Sequence, residues 1–93
     1  MDDDGEALVG NPLVVAQTTE SGAILLHMST GDCFELNRVG VEVWRLLSEK
    51  VTVRKIVATI SSRFAVPEAT VEADVRSLLG ELTRHGLVTP APR

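Results

Sequence analysis

Cys33, His27 and His85 are the side chains of this chain best suited to covalent or acid–base chemistry. A cysteine nucleophile needs a histidine beside it to hold or take its proton, and a further group to orient that histidine. His27 precedes Cys33 by a spacing that a hairpin would close, whereas His85 stands near the end of the chain. No orienting third group and no evident oxyanion site accompany them. The simpler expectation is that Cys33 is a small, partly buried packing residue and His27 an exposed strand position. His85, near a helix C-terminus, has its own account, because a cationic imidazole there interacts well with the last carbonyls. One Cys and two His without C-x-x-C or H-x-x-x-H spacing fall short of a metal site. The glycine near the strand–helix junction, Gly40, is inside the helix and no Lys-Ser/Thr follows it, so a phosphate loop is excluded. No catalytic residue, metal or cofactor is expected.

These residues sit in a chain whose elements are readable in order. Met1–Asn11, with Asp2, Asp3, Asp4 and Glu6 beside Gly5 and Gly10, reads as a solvated acidic arm. Pro12–Thr19, Ala23–Met28 and Asp32–Leu36 read as three strands separated by turns too short for anything but hairpins, hence an antiparallel meander. In the third strand Phe34 and Leu36 share one face, Cys33 and Glu35 the other. Asn37 then caps a helix over Arg38–Ser48, with Val39, Val43, Leu46 and Leu47 on one side and Trp44 beside them. Thr52 caps a second helix, Val53–Phe64, whose stripe is Ile56, Val57 and Ile60, closed by Phe64. Pro67 opens a third over Glu68–His85, striped by Val71, Val75, Leu78, Leu79 and Leu82 and stopped at Gly86. Leu87–Thr89 adds a brief extended segment, and Pro90–Arg93 forms a tail. The fold class is α+β: a three-stranded antiparallel N-terminal sheet followed by three helices, close to a winged helix-turn-helix, in one domain over 12–89.

With 93 residues, a 44% hydrophobic fraction and a 24% charged fraction, the chain suits one soluble domain. The single cysteine excludes an internal disulfide and fits a reducing compartment. The acidic N-terminus is unlike a signal peptide and no apolar run spans a bilayer, so a cytoplasmic location without membrane contact is expected. The net charge of −4 argues against nucleic acid as a partner. A winged-helix DNA-binding regulator is nevertheless the rival reading, with Glu68–His85 as recognition helix. That helix carries Glu68, Glu72, Asp74 and Glu81 against Arg76 and Arg84, with its acidic half where base edges would lie. What remains is backbone. If the third strand lies at the sheet edge, its unpaired N–H and C=O groups accept an added strand, and the third helix forms the other wall of a groove.

The blocks Gly22-Ala23-Ile24-Leu25-Leu26, Gly31-Asp32-Cys33-Phe34-Glu35-Leu36-Asn37, Val43-Trp44, Asp74-Val75 with Leu78-Leu79, and Gly86-Leu87-Val88 resemble the PqqD-like family, recognition elements for ribosomally made, post-translationally modified peptides. The likeness runs from about Pro12 to Val88, and its most specific piece is the strand-to-helix block ending in Trp44. It implies a non-catalytic winged-helix-like fold that binds the leader segment of a precursor peptide, antiparallel to the third strand. Carried over, Asp32, Cys33, Phe34, Glu35 and Leu36 form the strand wall, and Val71, Asp74, Val75 and Leu78 the helix wall. The implied partners are the precursor peptide and a peptide-modifying enzyme, a leader peptidase or a radical SAM enzyme; the chain itself is expected as a monomer or, by strand exchange at its open edge, a homodimer. Where the pyrroloquinoline-quinone member has Pro-Glu after its second strand this chain has His27-Met28. The resemblance is therefore to the stand-alone elements of lasso-peptide and other peptide-modifying clusters.

Overall fold

The computed structural model describes residues 8–90. Strands β1 (Leu8–Gly10), β2 (Val14–Thr18), β3 (Ala23–His27) and β4 (Cys33–Leu36) precede helices α1 (Arg38–Leu47), α2 (Val53–Phe64) and α3 (Glu68–Arg84), and β5 (Val88–Pro90) ends the chain. The fold is the expected α+β one, with β2, β3 and β4 forming a three-stranded antiparallel sheet in that order. The third strand of the sequence reading is β4, and it lies at the edge.

Helices α1 and α2 begin where a side chain accepts from the first turn, whereas α3 opens at Pro67 with no side-chain cap. The Asn37 side chain accepts from the Gly40 N–H at 2.8 Å, and that of Thr52 from the Lys55 N–H at 3.2 Å. At the end of α3, Leu87 N–H reaches the Leu82 carbonyl and Gly86 N–H that of Thr83, with Gly86 at a φ of 72°. This is the paired bond pattern that a left-handed glycine permits after a helix. Leu87 is thereby turned into the core, where it meets Leu25, Leu47, Ile56, Ile60 and Leu82.

The segment expected to be a solvated arm contributes structure. Leu8–Gly10 pairs antiparallel with Val88–Pro90, so the last two residues of the expected closing segment and the first of the expected tail are laddered as well. Asn11 fastens this small sheet: its backbone N–H donates to the Leu87 carbonyl and its Nδ2 to that of Gly86. Residues 1–7 of the expected acidic arm and 91–93 of the expected tail lie outside the described residues. Phe64, expected to close the buried stripe of α2, is 36% exposed, because the helix ends there and Ala65 turns left-handed at φ 55°.

A charge cluster joins α1 to α2. Glu42, with a side chain 12% exposed, accepts from Arg45 in its own helix and lies 3.3 Å from Arg63 of α2; Arg45 also reaches Glu49 at 2.9 Å. The hydrogen bond from Arg45 holds the Glu42 carboxyl below its usual range; the nearby positive charges of Arg45 and Arg63 assist, and burial opposes them. A carboxyl depressed in the folded state contributes stability above its ordinary value of 4.5 and loses it as pH falls through the lower folded value. Glu42→Gln is expected to cost on the order of 0.5–1 kcal/mol at neutral pH. In paired urea titrations, the gap to wild type closes as the medium is made strongly acidic.

Candidate functional site

The phase of hydrogen bonding in the sheet decides what β4 offers. Residues Ala23, Leu25 and His27 of β3 stand opposite Leu36, Phe34 and Asp32, and His27 N–H donates to the Asp32 carbonyl. Antiparallel pairs alternate between bonded and non-bonded, so Leu25–Phe34 and Ala23–Leu36 are the bonded pairs of this ladder. On the other side of β3, Thr19 N–H donates to the Gly22 carbonyl and Met28 N–H to that of Leu13, which assigns Ile24 and Leu26 to β2. Both flanks give the same phase. The N–H and C=O groups of Cys33 and Glu35 therefore point away from the sheet, along an edge with no strand beside it among the described residues.

The same alternation sorts side chains. Phe34 and Leu36 turn inward, toward the helices, opposite the buried Leu25 and Ala23; Cys33 and Glu35 face outward with Ile24 and Leu26. The Phe34 ring meets that of His85 at 5.9 Å with planes inclined by 55°, which brings the end of α3 against β4. Between strand and helix lies a groove of about 330 Å³. Its strand wall is Phe34–Leu36, its helix wall Asp74, Val75 and Leu78, and its floor Asn37, Val39, Gly40 and Val43 from the start of α1. The volume is in the range of ligand sites. Among the described residues, the charged ones lining it are Glu35 and Asp74, with no Lys or Arg.

A sequence model for coenzyme PQQ synthesis protein D (PqqD) matches residues 22–88. The chain belongs to the PqqD family. Two solved structures are similar over almost all of it. TbiB1 in complex with the TbiA(beta) leader peptide is 32% identical, with a TM-score of 0.80 over 91% of this chain and 99% of that one. A lasso peptide synthetase B1 complexed with the leader peptide is 20% identical, with a TM-score of 0.79 over 90% and 99%. No curated protein gives a significant match.

In this PqqD-family chain the groove gathers Phe34, Glu35, Leu36, Asp74, Val75 and Leu78 of the residues singled out from sequence. Asp32 and Cys33 do not line it, although the Cys33 main chain belongs to the open edge. Val71 does not line it either: it is 3% exposed and packs in the core, one turn before Val75 on the buried stripe. The floor from α1 was missed. Its signal was the single residue between β4 and α1, which forces the first turn of the helix to lie directly against the strand it follows.

The cysteine–histidine pair does not form. His27 is buried at 6% exposure rather than exposed, since it takes the inward phase of β3 with Leu25. Its Nδ1 accepts from the Ser29 and Thr30 N–H groups at 3.2 and 3.3 Å, which organises the turn into β4. Cys33 is exposed rather than partly buried, on the opposite face of the sheet. As for a nucleic-acid surface, the exposed residues of α3 include Glu68, Glu72 and Glu81, with Glu72 bonded to Arg76 at 2.9 Å, besides Asp74 on the groove wall. No helix among the described residues is long and apolar enough to cross a membrane.

Proposed function

We propose that this protein is a non-catalytic recognition module: it binds the leader segment of a ribosomally made precursor peptide as an added strand on β4 and holds it for a peptide-modifying enzyme, a leader peptidase or a radical SAM enzyme. The observation that carries this reading is the open edge of β4, with Cys33 and Glu35 turned outward above a groove walled by α3. Membership of the PqqD family and the likeness to TbiB1, solved with a leader peptide, support it. An added antiparallel strand would gain main-chain bonds at Cys33 and Glu35, each contributing about 0.5–1.5 kcal/mol net. Apolar side chains entering between Phe34 and Leu78 add burial at about 25 cal/mol per Å². Ordering a flexible leader opposes these gains by roughly 2–5 kcal/mol, so reversible capture follows, as suits a module that must release its cargo.

The test is a titration of the isotopically labelled protein with the leader of a precursor encoded beside its gene. The amide signals of Cys33 and Glu35 should shift most and become protected from exchange. Leu78→Asp, which places a charge in the groove wall, should weaken binding about tenfold, from an unpaired charge costing on the order of 1–2 kcal/mol. Unchanged signals over residues 32–36 at high micromolar leader would sink the proposal.

A further inference from the structure

We infer that the strand captured by β4 carries a basic residue opposite Glu35, flanked by apolar residues opposite Phe34 and Leu36. This rests on strand addition to β4 and specifies what that strand must look like. Directly opposed residues of an antiparallel pair put their side chains on the same face. A ligand residue opposite Phe34, and its neighbour two positions away opposite Leu36, therefore turn inward to the groove, where Val39, Val43, Val75 and Leu78 await them. The residue between them turns outward, beside the Glu35 carboxylate. Glu35 is exposed, and its neighbour across the ladder on the sheet side is Ile24, which gives it no counter-charge. A cation on the added strand would supply one.

The rest of the site has the same sign. Asp74 stands on the helix wall, no Lys or Arg among the described residues lines the groove, and the chain as a whole carries −4. An acidic ligand strand would meet like charge directly opposite Glu35, which is destabilising. The occupant that fits is thus an extended segment of apolar–basic–apolar pattern. Glu35 is the specificity-determining side chain, while its main chain supplies the pairing.

Peptides of about twelve residues, long enough to span β4 with flanks at roughly 3.4 Å per residue, make the probes. They share Ser/Thr flanks and differ at the centre: Val-Lys-Val, Val-Gln-Val or Val-Glu-Val. Affinity is read by fluorescence anisotropy, and engagement of the edge by the Cys33 and Glu35 amide signals. Wild type should bind Val-Lys-Val about fivefold more tightly than Val-Glu-Val, the combined effect of one attractive and one repulsive cross-strand pair. Glu35→Lys should reverse the order, and Glu35→Gln should bring the two within about twofold. Equal affinities on wild type, with the edge amides shifting for both peptides, would overturn the charge selection and leave strand addition standing. Edge amides that respond to none of the peptides, nor to the leader of a neighbouring precursor, would overturn strand addition and this inference with it.

Discussion

Glu35→Pro is expected to weaken leader binding by at least tenfold while leaving the fold intact, and Phe34→Pro to unfold the sheet. Proline lacks the N–H that a ladder requires and is tolerated in a strand only where that group faces outward. Glu35 and Phe34 are adjacent in sequence and opposite in phase: the bond from His27 to Asp32 places the Phe34 N–H toward Leu25 and that of Glu35 toward solvent. At Glu35 proline removes one donor from the binding edge and puts its ring where the incoming strand must approach. Losing that bond and adding the clash costs on the order of 1.5–3 kcal/mol of binding. At Phe34 it removes a bond from the internal ladder, at a cost of roughly 3 kcal/mol or more to the domain. Melting curves and leader titrations on both variants check the pair. Full-strength binding by a folded Glu35→Pro protein would show that the leader does not pair along β4.

The division of labour within β4 would let one strand serve both the sheet and the proposed ligand. Alternate residues give their main chain to β3 and their side chains to the core; the others give their main chain to the edge and their side chains to the outer face. Affinity and selectivity are thus separable by mutation. A charge change at Glu35 addresses selectivity alone, whereas a proline there removes the main-chain donor together with the carboxylate.

Much of this was legible in the sequence because it was local. The α2 boundaries follow from Thr52 and from the spacing of Ile56, Val57 and Ile60, and the order of strands follows from turns too short to allow any other pairing. The inward pair Phe34 and Leu36 follows from alternation. The pairing of Leu8–Gly10 with Val88–Pro90 was not legible: three-residue strands at opposite ends carry no periodicity, and their ladder depends on Asn11 reaching the turn at Gly86. Nor was the outward direction of the Cys33 and Glu35 main-chain groups, since hydrogen-bond alternation gives two equivalent choices until one bond, His27 N–H to the Asp32 carbonyl, fixes it. The family resemblance puts Val71 on the groove wall, and the helical stripe cannot check this, because it shows which residues share a side but not where that side leaves the core and reaches the groove. Leu78, next to the stripe's buried residues, is half-exposed and lines the groove; Val71, within the stripe, does not.

Gly22→Ala is expected to destabilise the protein by about 3 kcal/mol, lowering Tm by roughly 12–24 °C for a domain of this size. From sequence Gly22 is one of three turn residues between strands. In the fold it is buried, and a Cβ there would lie 1.7 Å from the Leu36 carbonyl oxygen and 2.7 Å from its carbon, with Asn37 Cα at 3.0 Å. These are backbone atoms, so no side-chain rotation relieves the overlap; the end of β4 must move. Leu36 and Asn37 are the link from the open β4 edge to α1, and Asn37 caps that helix through Gly40. Moving them strains the cap, opens the Ala23–Leu36 pair and shifts the strand wall of the groove against its floor. The variant should therefore lose leader affinity even where it remains folded, at temperatures well below its lowered Tm. A comparison with Gly80→Ala separates this from a general effect of replacing glycine, because Gly80 lies in α3 with nothing within 4 Å of the added carbon. That change should stabilise the helix by roughly 0.5–1 kcal/mol. A Gly22→Ala protein that melts within 2 °C of wild type, on the order of a few tenths of a kcal/mol, would refute the close contact at the β4–α1 junction.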